Sequence, residues 1–211
     1  MKVWISAKIA YGSKICLHGL TEDRKNVRLL RTDGSYYPAA TGFNVGQIWD
    51  MTLSRAPRLI APHSEDVIVA SCKLIGQEAD MRSFLCTHVS PWQGGPDQLF
   101  GGALRSVLNK KKLFISEGTS FQPISMGYWL PDIPLIKWHD EEDHPGYRYY
   151  TPMTENLIDY QGAAAQIFKI PAASLVHVAL MRWWTPSNRY AAHESSKVKR
   201  RCYLYIAGWY E

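Results

Sequence analysis

Three absences narrow the reading before any motif is considered. No apolar run approaches the roughly 18–20 residues that a bilayer-spanning helix needs. The opening stretch MKVWISAKIAYGSK carries Lys8 inside its apolar part and has no small-residue cleavage site, so no signal peptide is expected and a cytoplasmic location is. Cysteine is scarce: Cys16, Cys72, Cys86 and Cys202 are four among 211 residues, with no CxxC and no Cys/His pairing at zinc spacing. Each lies among apolar or β-patterned neighbours, which reads as buried free thiols rather than a disulfide or a zinc site.

The patterns of nucleases are missing as well. A metal-dependent nuclease places a metal and a water beside the phosphate with a Pro-Asp strand start, then an acid and a lysine one residue apart. Pro96-Asp97 and Pro131-Asp132 have no such strand after them, and His193-Glu194 with Lys197 has the wrong spacing. The run from His139 through Asp140, Glu141, Glu142 and Asp143 to His144 has the ligand types for a divalent cation. Its histidines stand five apart rather than the four of a helical pair, and Pro145-Gly146 follows, so it reads as an exposed acidic loop. A metal-free ribonuclease would need a histidine acid/base with a Lys or Tyr partner, for which His177, His193 and Tyr190 are available. No cofactor is expected, and binding is favoured over catalysis.

The composition, 46% hydrophobic and 20% charged, is that of a globular protein long enough for one large domain or two small ones. The net charge of +5 favours a polyanionic partner mildly. Its segregation matters more. Base is gathered in Lys110-Lys111-Lys112 and in Lys197 to Arg201, and acid in Asp140 to Asp143.

Alternating or clustered β-branched and aromatic residues predict strands over 1–10, 14–20, 27–32, 47–53 and 67–74, separated by breakers such as Asp33-Gly34, Gly46, Pro57 and Pro62. Five short strands at this spacing imply a small antiparallel barrel or sandwich. A weak helical pattern covers 78–85. A stronger one covers 97–110, with Asp97 as cap and Leu99, Phe100, Ala103, Leu104, Val107 and Leu108 at helical spacing, although Gly101-Gly102 weakens it. Further strands are expected over 112–116, 128–138, 147–150, 165–184 and 198–209. Pro131 and Pro134 mark the second of these as an edge or bulged strand. In the last, Cys202, Leu204 and Ile206 alternate with Tyr203, Tyr205 and Ala207, as in a strand with one buried face. The partition expected is 1–90, a linker with a short helix over 91–111, and 112–211.

Several segments resemble the bacterial dual OB-containing domain family. They are the strand–Gly–basic–Cys segment Gly12-Ser13-Lys14-Ile15-Cys16, the strand Leu29-Leu30-Arg31, the strand from Gly46 to Asp50, the proline-rich link ending in His63-Ser64-Glu65-Asp66-Val67, and the closing RCYLYIAGWY. The resemblance implies an all-β fold of two OB-like small barrels and association with nucleic acid, often in bacterial mobile-element or anti-phage settings. It implies no enzymatic activity.

OB barrels hold single strands by pairing a cationic track with exposed rings. Three segments here combine the two: Tyr147-Arg148-Tyr149-Tyr150, Arg182-Trp183-Trp184 with Arg189-Tyr190, and Lys199-Arg200-Arg201 leading into Tyr203 and Tyr205. Arg148, Arg182, Lys199, Arg200 and Arg201 are the expected phosphate ligands, and Tyr149, Tyr150 and Trp184 the expected stacking rings. Core packing of the same aromatics is the competing reading. His63 to Asp66 reads as local capping and turn hydrogen bonds, with a ligand-facing loop as the alternative. The expected function is a nucleic-acid-binding recognition or scaffold subunit within a larger assembly. A protein–protein adaptor and a metal-independent ribonuclease are the alternatives.

Overall fold

A computed structural model describes residues 1–106, 111–140, 142–185 and 199–211. The chain opens with β1 (Lys2–Tyr11), β2 (Lys14–Thr21), β3 (Asn26–Leu30), the short β4 (Tyr37–Pro38), β5 (Gln47–Arg55) and β6 (Asp66–Gln77). β1 pairs with both β2 and β5, β2 with β3, and β5 with β6, all antiparallel. A parallel pairing of β3 with β6 closes the ring into a five-stranded barrel. Its interior is filled by Val3, Ile5, Ile15, Leu17, Val27, Leu29, Met51 and Val69, the period-2 positions of each strand. Gly19 belongs to this interior: a Cβ there would come within 2.7 Å of Val3 Cγ1.

Asp80 caps helix α1 (Met81–His88) by accepting from Ser83 N at 2.9 Å, three residues later than the pattern over 78–85 implied. Then come β7 (Trp92–Gly94), a 3-10 helix over Pro96–Gly102, β8 (Arg105–Ser106), β9 (Leu113–Ser116), β10 (Met126–Pro131), β11 (Leu135–His139), β12 (Pro145–Tyr150), β13 (Glu155–Tyr160), β14 (Lys169–Ile170), β15 (Leu175–Leu180) and β16 (Arg201–Tyr210). These strands build one large sheet whose pairing order repeats the first barrel. β12 lies between β11 and β13, β13 runs parallel to β16, β16 pairs with β15, and β15 returns to β10. The strand expected over 128–138 is divided into β10 and β11 at Pro131 and Pro134; each half pairs on both sides, β10 with β15 and β7 and β11 with β12 and β14, so neither is the edge strand the prolines suggested.

Three sequence expectations change. The helix over 97–110 is only the 3-10 turn, because Phe100, Gly101 and Gly102 take positive φ values of 52°, 64° and 75° and end it; Val107, Leu108 and Lys110 lie outside the described residues. Leu99, Phe100, Ala103 and Leu104 pack into the second core, and β7 pairs with β10, so the segment expected as a linker is part of that barrel's packing. Cys16 and Cys202 are buried free thiols, but Cys72 and Cys86 are free and exposed.

The two barrels pack side by side. A bulge between Ile5 and Ala7 turns β1 over, so that Val3 and Ile5 face the first barrel's interior while Ala7 and Ile9 face out. There they join Cys16 of β2 against Met126, Ala179, Tyr205 and Ala207 of the second barrel. Leu20 meets Tyr128 and Leu175, with Met81 and Leu85 of α1 completing the cluster. Main chains also meet: Ala10 N donates to Gln161 O at 3.1 Å and Ala163 N to Lys8 O at 2.8 Å. Tyr205 and Ala207 are therefore buried in this seam, so β16 has two covered faces there rather than one.

Polar groups are sealed inside the seam. Arg28, 2% exposed, donates to Asp66 Oδ1 at 2.8 Å within its own barrel and to Ser125 Oγ at 3.1 Å in the other. Asp66 Oδ2 accepts from Arg182 Nη2 at 2.7 Å, so one carboxylate joins an arginine from each barrel. Ser125 Oγ in turn donates to Glu65 Oε2 at 2.9 Å. His63 Nδ1 lies 3.4 Å from Arg28 Nη1, and His18 Nδ1 lies 3.4 Å from His177 Nε2 across the seam.

Burial and the arginine charges keep all three histidines neutral. Burial, then Arg28 and Arg182, push His63 down to about 2; burial and Arg28 push His177 down to about 3; burial, Arg28 and His177 hold His18 well below the ordinary value. The unfolded chain takes up these protons near pH 6.5 and the folded chain does not, so stability is complete above that pH and falls as the medium is acidified. Each histidine contributes about 1.4 kcal/mol per pH unit, or about 4 kcal/mol per unit for the three together. Urea midpoints measured from pH 7 to 5 are expected to drop steeply, and a flat profile would contradict the buried neutral histidines.

Candidate nucleic-acid interface

The connection from β15 to β16 corresponds to the fourth-to-fifth-strand loop of an OB barrel, a position OB folds use for ligands. It carries most of the residues singled out in the sequence. Main-chain bonds between Trp184 and Arg201, at 2.9 and 2.8 Å, pin its two ends together. Trp184 is 49% exposed, and its ring centroid stands 6.0 Å from that of Tyr203. Arg201 lays its guanidinium 4.5 Å from the ring centre of Phe114 on β9, with Nη1 3.4 Å from Tyr203 OH. Arg200 lies 5.6 Å over Trp183 and makes a two-pronged pair with Glu117, whose carboxyl it holds below the ordinary range. Lys199 is exposed beside them. Trp184 and Arg201, paired across the loop's ends, thus share one face with Tyr203 and Phe114, while Arg200 forms an adjoining cluster with Trp183 and Glu117 and is followed back along the chain by the exposed Lys199.

Arg148 and Tyr150 form a second patch on the outer face of β12. The guanidinium sits 5.4 Å over the Tyr150 ring and 3.7 Å from Glu155 on β13. Lys111 also pairs with Glu155, and Lys112 pairs with Asp159 at 2.8 Å. Lys111 and Phe114 are three residues apart leading into β9, about 10 Å at strand rise, so β9 leads from this patch to the first.

Two expected site residues do not join this surface. Tyr149 alternates inward with Tyr147. It is 5% exposed, its hydroxyl donates to Asp132 at 3.0 Å, and burial with the Asp132 carboxylate pushes it up to about 12, which leaves no ring face for a base. Arg182 is bound to Asp66 and to Tyr36 OH at 3.3 Å, so its charge is committed to the seam rather than to phosphate. Trp183, at the root of the loop, donates from Nε1 to Ala61 O at 2.6 Å and so ties the loop to the first barrel.

His63 to Asp66 is neither a local turn network nor a ligand-facing loop: Glu65 and Ser64 reach Ser125 and Pro123, and His63 and Asp66 lie in the seam. His177 is fully buried there, out of reach of a substrate, while Arg189, Tyr190, His193 and Lys197 lie outside the described residues. The acidic loop is turned on itself, with Asp140 Oδ1 accepting from Glu142 N at 3.1 Å and His144 N at 2.8 Å. Among the described residues no group of three or more His, Cys, Asp or Glu side chains is placed to hold a metal ion. Sequence reasoning passed over Phe114, Glu117 and Glu155. They are ordinary strand and turn residues, and only pairing between distant strands brings them to the site.

The contrast between rings is testable. Tyr149→Ala is expected to destabilise the fold by about 3–5 kcal/mol, as loss of a large core aromatic does. Trp184→Ala is expected to change stability by no more than about 0.5 kcal/mol. Urea unfolding of the two variants checks this, and comparable losses would contradict the placement of Trp184 on the surface.

No curated protein and no solved structure matches this chain. A family match spans residues 1–209, nearly the whole sequence, and agrees with the two five-stranded pairing patterns joined by the seam. The chain belongs to the dual OB-containing domain family.

Proposed function

We propose that the chain binds single-stranded or unpaired nucleic acid on the second barrel, as the recognition or scaffold subunit of a bacterial defence or mobile-element assembly. The shared face of Trp184, Tyr203 and Arg201, with the exposed cations Arg200 and Lys199 next to it in the chain, carries this reading. Trp184 and Tyr203 offer ring faces to bases, each stacked base contributing about 1–3 kcal/mol. Arg200 and Lys199 offer charge to phosphates. Arg201 does both, since a guanidinium backed by a ring presents a flat cationic plane. Arg148 and Tyr150 extend the track.

A second reading, protein–protein docking, is favoured by one feature of the first barrel. β6 pairs with β3 only over Asp66–Ile68, and beyond that point Leu74 and Ile75 stand exposed along its outer edge. Such an edge can accept a strand from another protein. The two readings use different barrels.

Fluorescence anisotropy with labelled single-stranded and duplex RNA and DNA tests the proposal. About three phosphate contacts imply a roughly 20-fold loss of single-strand affinity between 50 and 200 mM salt. Trp184→Ala is expected to weaken binding by about 5- to 150-fold, the cost of one stacked base. Absence of binding to every probe would overturn the proposal and leave the docking reading.

A further inference from the structure

We infer that only the second barrel reads nucleic acid, and that its ligand is a short unstacked stretch of about four nucleotides, the low end of the range for one OB barrel. The inference rests on the nucleic-acid reading above and narrows it.

An OB barrel recognises its ligand on the outer face of its second and third strands, flanked by the loops after the first and fourth. In the first barrel those strands are β2 and β3. Away from the strand ends, where Lys14 is exposed and Asn26 half-buried, their outward side chains are Cys16, His18, Leu20 and Arg28, exposed by 4%, 0%, 0% and 2%. The second barrel covers all four. Met126 and Tyr205 lie on Cys16, His177 meets His18, Tyr128 and Leu175 pack with Leu20, and Ser125 accepts from Arg28. A ligand could reach this face only if the seam opened, which would strip Arg28, Asp66 and Arg182 of partners that water replaces only when the barrels part. The first barrel's ligand face is thus used up in holding the second.

The corresponding strands of the second barrel are β12 and β13; β12 is open, while β13's outward Glu155 and Asp159 are half-buried and engaged by Lys111 and Lys112. Arg148 is 41% exposed by side chain and Tyr150 56%. The loop after the fourth strand leads to Trp184, Arg200 and Arg201. Among the described residues the flat groups along this track are Trp184, Tyr203, the Arg201 guanidinium and Tyr150, with the exposed Phe168 ring off it beyond β13. The Trp184 and Tyr203 rings are tilted 59° to one another, so bases lying on both could not remain parallel as in a duplex, and the pair suits bases that have been pulled apart. First-barrel residues tie down the base of the loop, through Asp66 and Tyr36 on Arg182 and Ala61 on Trp183, without adding a reading plane.

A length series of labelled oligothymidylate and oligouridylate, from 2 to 20 nucleotides, is the test. The chain is compared with a Tyr11→Ala/Lys14→Ala variant, which alters the two exposed side chains flanking the turn between β1 and β2. Affinity is expected to climb to about four or five nucleotides and then to gain only the statistical factor of extra registers. The variant is expected to bind within about twofold of the parent. Affinity that keeps rising past about ten nucleotides, or a variant weakened more than fivefold, would overturn the single-barrel assignment while leaving nucleic-acid binding intact. No binding at any length would overturn the parent reading, and this inference with it.

Discussion

Arg28 is a charge that cannot be shed, set where water does not reach, and the arrangement of the molecule follows from what that charge requires. A guanidinium sealed from solvent needs a carboxylate and further acceptors, and no single barrel supplies them all. Asp66 comes from the same barrel and Ser125 from the other, while Asp66 in turn engages Arg182. Removing one member would leave a buried charge unpaired, at a cost of about 3–5 kcal/mol. The apolar contacts around the network are tolerant of small shifts. The ion pairs are not, and they fix the register of one barrel against the other.

That constraint reaches the candidate interface. Arg182 opens the β15–β16 loop, so the carboxylate that satisfies Arg28 also anchors the segment carrying Trp183 and Trp184. Beyond Arg182, Trp184 is exposed, and so are Lys199 and Arg200 at the other end of the loop. Two barrels with the same strand order thereby take different roles. One has its ligand face buried and acts as support, and the other keeps its face open.

The strands of the first barrel were legible because their apolar residues alternate and breakers separate them. β13 was not. Glu155 and Asp159 on its outer face break the apolar pattern of ENLIDY, and their partners Lys111 and Lys112 lie more than forty residues away in sequence. The seam was invisible for a related reason. A one-face alternation says which residues face the interior, but not whether a second layer covers the other face. The burial of His18 and Arg28 therefore has no local signal, and Arg182 reads from sequence as a phosphate ligand. Trp184, Arg200 and Arg201 were legible because the mixture of rings and charge is local. Tyr149 differed from Tyr150 only by the parity of its strand position, and residue type alone does not read parity.

The most direct measurement is a crystal structure of the chain with a bound tetranucleotide. The account predicts bases against Trp184 and Tyr203, phosphates near Arg200 and Arg201, and the Arg28–Asp66–Arg182 network unchanged. A strand lying along β2 and β3 with the two barrels parted would contradict it.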